Sequence, residues 1–190
     1  NANLSISGSG GSRNLQITPA ANQSGTTTIT VTVTATNGRT ATDTFDLTVN
    51  AANDPPSGTD NTVSTAEETA YTFTAAELGF TDPNDTPPNT FLAVKITTVP
   101  ALGTLTNNNV PVNAGDFISV ADINAGLLKF TPAPDGFGTP YTTFTFQVQD
   151  AGGGTDLDPT PNTMTINVTG VNDGPVNTVP GPQTTDEDVA

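Results

Sequence analysis

Four stretches of the chain alternate apolar and polar residues with a period of two, as in "TTTITVTVTAT". They are residues 26 to 36, 44 to 50, 141 to 150 and 163 to 169. Side chains of a strand alternate between its two faces, so this period predicts strands with one inward face. Clusters of Gly, Pro and Asn-Asp separate the strands at short spacing, which favours an all-β fold of antiparallel β-sandwiches over a βαβ fold. Only "TAAELGF" and "SVADINAG" predict a helical turn each.

The strand pattern repeats along the chain. "LQITPAANQSG", residues 15 to 25, aligns with "LKFTPAPDGFG", residues 128 to 138, and pairs Asn22 with Asp135. Each copy continues with a long alternating strand, a glycine-containing hairpin, a last strand and then Asn-Asp. A further match relates "TAEETA" to the C-terminal "TDEDVA". Repeats with a period of about 100 residues predict tandem domains joined at the Asn-Asp pairs.

These joints divide the chain into three parts. Residues 1–53 contain the closing strands of one immunoglobulin-like repeat, residues 54–172 a complete repeat, and residues 173–190 the start of another. A half-domain would expose its inner face to water. We therefore expect its missing strands to come from elsewhere in the same chain or from a neighbouring subunit, and the sequence leaves both open.

Composition and charge narrow the function classes. Acidic residues outnumber basic ones 19 to 4, and the net charge of −15 repels nucleic acid and anionic membranes while attracting cations. The chain has no Cys and no His, which removes thiolate metal sites, disulfides and the commonest general base. No catalytic motif occurs, so we expect a non-enzymatic protein. No apolar run approaches the roughly 20 residues of a membrane span, and the first residues do not have the pattern of a signal peptide.

The order of short motifs between residues 54 and 175 carries a family resemblance. The series "AEET…YTFT…FTDPND…VKITTVPALGTL…GDFISVADI…LLKFTPAPDGFG…FTFQVQD…TMTINVTGVNDGP" resembles the bacterial cadherin-like repeats of giant secreted surface adhesins. The preceding segment is similar to a shorter sister repeat of the same proteins. The resemblance implies cadherin- and immunoglobulin-like sandwiches on the bacterial cell surface, which bind Ca²⁺ near their joints and act as extenders or adhesive segments.

The strand order independently sorts the acidic residues by end, because successive strands alternate in direction. The loops "TDPND" and "QDAGGGTDLD" then lie at the end of the first joint, and the turn "AEET" and the loop "PAPDGFG" lie at the second. Candidate Ca²⁺ ligands at the first end are Asn53, Asp54, Asp82, Asp85 and Asp150, with Asp156 in support and Asn22 facing them from the preceding repeat. Candidates at the second end are Glu67, Asp135, Asn172 and Asp173, with Glu68 interpreted as a solvated neighbour.

The chemistry of these candidates favours calcium. Ca²⁺ takes six to eight oxygen ligands, and carboxylates that converge without a basic residue repel one another unless a cation lies between them. None of the four basic residues belongs to the loops in question. Each Asp or Asn alone is more typical of a turn, but their joint placement at both ends predicts a metal site.

Other residues receive structural interpretations. Asp116, Asp122 and Glu77 are predicted to cap turns or lie on the surface. Six phenylalanines in apolar contexts are core candidates, namely Phe73, Phe80, Phe91, Phe130, Phe144 and Phe146.

Two alternatives to the extender remain. The chain could be a subunit of an extracellular filament, assembled by strand exchange or head-to-tail packing, with neighbouring identical subunits as partners. It could also bind a ligand such as a glycan on its threonine-rich faces, since 38 residues are Thr. Ice binding by these faces is disfavoured, because β-branched Thr simply fits the solvent face of strands. With two Tyr and no Trp, few rings can stack on sugars.

Overall fold

Strands dominate the fold. The structure is a computed structural model that describes residues 3–175 and, beyond them, residues 178, 181, 182, 184 and 187. Most of the predicted third part, including nearly all of "TDEDVA", lies outside the described residues. The strands are β1 (Asn3–Ser7), β2 (Asn14–Thr18), β3 (Gly25–Thr34), β4 (Thr40–Val49), β5 (Asn61–Ala66), β6 (Tyr71–Thr72), β7 (Phe91–Thr98), β8 (Thr104–Asn107), β9 (Val110–Pro111), β10 (Phe117–Ser119), β11 (Leu128–Thr131), β12 (Gly138–Asp150) and β13 (Asn162–Thr169). A 3-10 helix spans Ala75–Leu78, and the helix α1 spans Val120–Asn124. The predictions of an all-β protein and of two helical turns are confirmed.

The larger sheet has five strands in the order β10-β7-β12-β13-β5. Its central strand, β12, is antiparallel to both neighbours. At the edge, β5 runs parallel to β13, with Val63 opposite Ile166, which differs from the purely antiparallel expectation. Neighbouring strands must be antiparallel only when a tight hairpin connects them. Because β5 and β13 are far apart in sequence, a parallel pairing is possible for them.

The smaller sheet has four strands in the order β6-β11-β8-β9, and its apolar residues share one core with those of the larger sheet. In β12, Phe144, Phe146 and Val148 are fully buried, while Thr145 and Gln147 between them are only partly buried. Burying a side chain of this kind stabilises the fold by about 1.5–3 kcal/mol. Four of the six predicted core phenylalanines are fully buried, and the other two, Phe80 and Phe91, stack at 4.8 Å between ring centroids and pack against the core.

Residues 3–52 contain two separate hairpins, β1–β2 and β3–β4. Within the part of the chain that the structure describes, the first core residue is Val63. The apolar face predicted for β3 and β4 therefore stays open, with Val33 65% and Phe45 44% exposed.

The two helical turns have side-chain caps. Glu77 accepts the backbone N–H of Thr74 at 2.8 Å, and Asp122 donates its backbone N–H to the Ser119 hydroxyl at 3.0 Å. The predicted capping role of Glu77 is confirmed. Glu77 also accepts the hydroxyl of Tyr71, and burial first and this hydrogen bond second raise the pKa of Tyr71 to about 12.

Candidate metal centre

Three predicted ligands meet at one end of the two sheets. Asp82, Asp85 and Asp150 offer carboxylate oxygens that all lie within 4.8 Å of one another, and we call them the upper cluster. Asp82 and Asp85 lie in the loop before β7, and Asp150 is the last residue of β12. Asp82 is 5% exposed and Asp150 is fully buried. The loops that the sequence assigned to one end are therefore brought together.

Backbone and amide groups near the first joint hold two of these carboxylates. Gly152 donates its backbone N–H to Asp150 at 2.7 Å, and the Asn53 amide lies 3.4 Å from both oxygens of the same carboxylate. Asp54 donates its backbone N–H to Asp85 at 3.1 Å. Both residues of the Asn-Asp joint thus contact the upper cluster, Asn53 through its side-chain amide and Asp54 through its backbone N–H. The carboxylate of Asp54, predicted as a ligand, is not one of the three that lie together.

Asn89 is a site residue that the sequence analysis missed. Its backbone N–H donates to Asp82 at 2.6 Å, and its amide donates to Asp85 at 3.1 Å and to the amide oxygen of Asn53. It belongs to "PPNT", where an Asn after two prolines has the appearance of an ordinary turn residue. No sequence signal separates it from the other asparagines of the chain.

Asp82 has one oxygen without a partner. Its Oδ2 accepts from Asn89, but its buried Oδ1 has no hydrogen-bond partner in the described structure. A buried charged oxygen without a donor costs several kcal/mol, and each pair of charges at this spacing adds roughly 3 kcal/mol of repulsion at an effective dielectric constant near 20. No hydrogen bond that the described structure records for the three carboxylates comes from Lys or Arg. The cluster thus lacks a compensating positive charge.

The donor set fits a hard divalent cation. The upper cluster offers carboxylate oxygens alone, which suit Ca²⁺ or Mg²⁺ rather than metals that prefer thiolate or imidazole. Asp82, Asp85 and Asp150 would hold such an ion, with the Asn53 side chain beside them. When bound, the ion would supply the positive charge that the unpartnered oxygen of Asp82 lacks.

Hydrogen bonds from the loop between β12 and β13 also hold the joint residue Asn53 in place. The Thr155 hydroxyl donates to the backbone carbonyl of Asn53 at 2.7 Å, and the Asn53 amide donates to the Thr155 carbonyl at 3.1 Å. A Cβ at Gly152 would lie 1.6 Å from the amide oxygen of Asn53, so only glycine allows this approach. The loop between β12 and β13 therefore fixes the joint residue directly.

A third buried aspartate, Asp158, has a different role from Asp82 and Asp150. Asp158, 4% exposed, accepts the backbone N–H groups of Gly58 and Thr160 and the amide of Asn162, all within 2.9 Å. Three hydrogen-bond donors compensate the charge of its carboxylate, so Asp158 stabilises the fold locally. Sequence analysis missed it because "LDPT" looks like an ordinary turn.

Asp156, predicted in support of the metal ligands, accepts from the Gln149 amide at 3.1 Å and is not part of the upper cluster.

A polar cleft of about 300 Å³ lies between the first two hairpins and the end of the sandwich that carries the upper cluster. It is lined by Asn22 and residues 50–52 on one side and by Asp54 and Asp85 on the other. The structure thus places Asn22 opposite the joint, where the sequence predicted it.

The other predicted end contains a different trio from the expected one. Carboxylate oxygens of Glu68, Asp135 and Asp173 lie within 4.8 Å of one another, all three residues are exposed, and we call them the lower cluster. Glu67 is buried instead and accepts the backbone N–H of Val171. Glu68, interpreted from sequence as a solvated neighbour, thus takes the place expected for Glu67. It has a left-handed φ of 61°, which ends the alternation of the strand at this turn.

Asn172, also predicted as a ligand, is exposed and donates its amide to the Asp173 carbonyl at 3.2 Å. Its amide nitrogen is thereby engaged with the backbone of the following residue.

A comparison of the chain with models of known protein families and with curated protein sequences found no match. Among the described residues, no helix has the length and apolar character needed to cross a membrane.

Proposed function

We propose that this chain is a non-enzymatic structural segment of an extracellular surface protein, built from tandem β-sandwich repeats that Ca²⁺ stiffens at their joints. The observation that carries the proposal is the upper cluster, in which a buried aspartate keeps one oxygen without a donor beside two further carboxylates. The cadherin-like order of motifs in residues 54 to 175 supports the family and the bacterial cell surface as the location.

The tandem arrangement draws support from matched backbone geometry. Asn22 and Asp135, which the sequence repeat aligns, both have left-handed φ values, 57° and 55°. Few residues other than glycine adopt this conformation, so its occurrence at two aligned positions favours a common loop. Two sheets around one core support a sandwich for residues 54–172.

Stiffening follows from which groups meet at the joint. Asn53 and Asp54 contact the upper cluster, and Asn22 and residues 50–52 face it across the cleft. Without a cation, mutual repulsion of the carboxylates pushes these loops apart. With their charge neutralised, the same loops hold the joint residues, so adjacent repeats keep a fixed orientation and the string of repeats resists bending.

Thermal unfolding in millimolar Ca²⁺ and in EDTA tests the proposal. A ligand at 100 times its dissociation constant stabilises the folded state by about 2.7 kcal/mol, which is several degrees for a chain of this size. We expect such a shift with Ca²⁺, and a smaller one with Mg²⁺, which requires a stricter octahedral geometry. Equal melting temperatures in all three buffers would contradict the metal site.

The open face of the β3–β4 hairpin favours one further candidate. Its apolar residues Val33 and Phe45 are exposed, and strands of a neighbouring subunit could cover them, as in a filament formed by strand exchange. Light scattering over a range of concentrations separates the two functions. An extender keeps the mass of one chain, whereas a filament subunit grows in mass with concentration.

A further inference from the structure

The tip of the β3–β4 hairpin carries the dipeptide Asn37-Gly38. It belongs to the loop of residues 35–39, which joins the two strands and is exposed throughout. Asn37 is the only asparagine in the sequence that glycine follows. Asparagine is a chemically labile residue, because its side-chain amide can react with the backbone nitrogen of the next residue. The hairpin tip therefore holds the most reactive pair of this kind in contact with water.

Gly38 leaves room for that reaction. A side chain on the residue after asparagine crowds the ring that the two groups must close, and glycine has none. No atom lies within 4 Å of the place where a Cβ of Gly38 would be. Its left-handed φ of 84° also favours glycine over other residues at this position. The turn itself thus requires the residue that exposes the nitrogen.

The side chain of Asn37 is folded towards the reacting nitrogen. Its Oδ1 accepts the backbone N–H of Arg39 at 3.2 Å. This arrangement bends the side chain over the peptide that follows it, so the carbonyl carbon lies beside the Gly38 nitrogen. The N–H of Arg39 also polarises the side-chain carbonyl and is placed to stabilise negative charge that develops on its oxygen.

One hydrogen bond of the turn opposes the reaction. Gly38 donates its backbone N–H to the carbonyl of Ala35 at 2.9 Å, and this bond must open before the nitrogen can attack. The net contribution of such a bond is small, so its opening slows the reaction by about tenfold at most. Ala35 also donates its N–H to the carbonyl of Arg39 at 2.8 Å, which keeps the loop closed meanwhile. The turn therefore limits the rate without preventing attack.

We propose that Asn37 is a site of spontaneous deamidation. The Gly38 nitrogen bonds to the side-chain carbonyl carbon of Asn37, and the amide nitrogen leaves as ammonia with the proton that Gly38 gives up. Water then opens the cyclic succinimide. Attack on the side-chain carbonyl gives aspartate, and attack on the main-chain carbonyl gives iso-aspartate, in which the chain runs through the side chain. Water is the only co-reactant, and nothing is oxidised or reduced.

The reaction changes the hairpin tip and leaves the candidate metal centre unaltered. Either product adds a negative charge close to Arg39, and iso-aspartate also adds one atom to the backbone of the loop. Strands β3 and β4 have 10 residues each, so they separate the tip from residues 50–52 of the polar cleft by roughly 30 Å. The site therefore holds whether or not the chain binds Ca²⁺.

Storage of the full chain in mildly alkaline buffer, followed by mass spectrometry of its peptides, tests the proposal. Asn22 and Asn109 are internal controls, because both are exposed and left-handed but precede Gln23 and Val110. We expect Asn37 to convert at least tenfold faster than either control, with iso-aspartate among the products. Equal rates at the three asparagines would overturn the proposal. Aspartate as the sole product would indicate direct hydrolysis by water and would overturn the role of Gly38.

Two further measurements locate the reaction and weigh the turn. Asn37→Gln keeps an amide but requires a larger ring, so conversion at this position should fall at least tenfold. Asn22→Gln is the matched control and should leave the conversion of Asn37 unchanged. The rate in the folded chain should lie within about tenfold of the rate in urea, since only one exposed hydrogen bond has to open. A stronger protection by folding, or undiminished conversion in Asn37→Gln, would overturn the site.

Discussion

The upper and lower clusters each consist of three carboxylates, but they differ in how far they are buried. Each brings three carboxylates within 4.8 Å of one another, but two of the three upper residues are buried and all three lower residues are exposed. Water screens the exposed carboxylates, whereas the buried ones repel each other in a lower dielectric and keep an oxygen of Asp82 without a donor. Acidic residues at both joints are thus not equivalent, and burial decides which cluster most needs a cation.

The largest expected difference between the clusters is in calcium stabilisation. Asp82→Asn removes one charge and one anionic oxygen from the upper cluster, so we expect it to lose most of the roughly 2.7 kcal/mol that saturating Ca²⁺ provides. Glu68→Gln, the matched change in the lower cluster, should keep most of it because its exposed carboxylate is screened. Scanning calorimetry of both variants in Ca²⁺ and in EDTA measures the difference. Equal losses would remove the distinction between the clusters.

Asp158→Asn is the control for burial alone. Asp158 is as buried as Asp82 but has three donors, so the variant should lower the melting temperature in both buffers and leave the calcium shift intact. The expected loss is about 2 kcal/mol, typical of hydrogen bonds to a charged group.

Glycines at the two ends provide a second, smaller contrast. Gly152→Ala places a Cβ against the Asn53 amide, and we expect it to destabilise the fold by about 1–3 kcal/mol. Gly174→Ala next to the lower cluster meets no atom within 4 Å and should change stability by less than about 0.5 kcal/mol. Urea unfolding monitored by circular dichroism distinguishes them. A harmless Gly152→Ala would show that the joint residue is not held closely by its loop.

The smallest expected effect concerns a carboxylate outside both clusters, Glu77. Its partner Tyr71 has a pKa raised from 10.0 to about 12, so the folded state holds the phenol proton more tightly than the unfolded state does. This contribution to stability is complete below about pH 10 and is lost as the pH rises from 10 towards 12. Tyr71→Phe should remove that part of the pH dependence, which unfolding midpoints between pH 9 and 12 can measure. An unchanged dependence would assign it to other groups.

Much of the candidate metal site could be predicted because it depends on strand direction. The alternation of strands placed Asp82, Asp85 and Asp150 at one end, and the structure brings them together there. Asn89 could not be predicted, because its role depends on how one loop folds against Asp82 and Asp85. The exchange of Glu67 for Glu68 also depends on how a turn folds, since both residues follow the end of β5 at Ala66 and Glu68 has a left-handed φ of 61°.

By itself, the sequence determined the long strands, the inward faces of β12 and β13, and the ends to which the acidic loops belong, because a period of two and a chain reversal are local properties. Only the tertiary structure decided that β5 pairs in parallel with β13, and that Asp158 accepts three hydrogen bonds while one oxygen of Asp82 accepts none. Some of the hydrogen bonds that decide this join residues about 100 positions apart, as with Gly58 and Asp158. Such contacts depend on how sheets and loops pack in three dimensions, which no local pattern encodes.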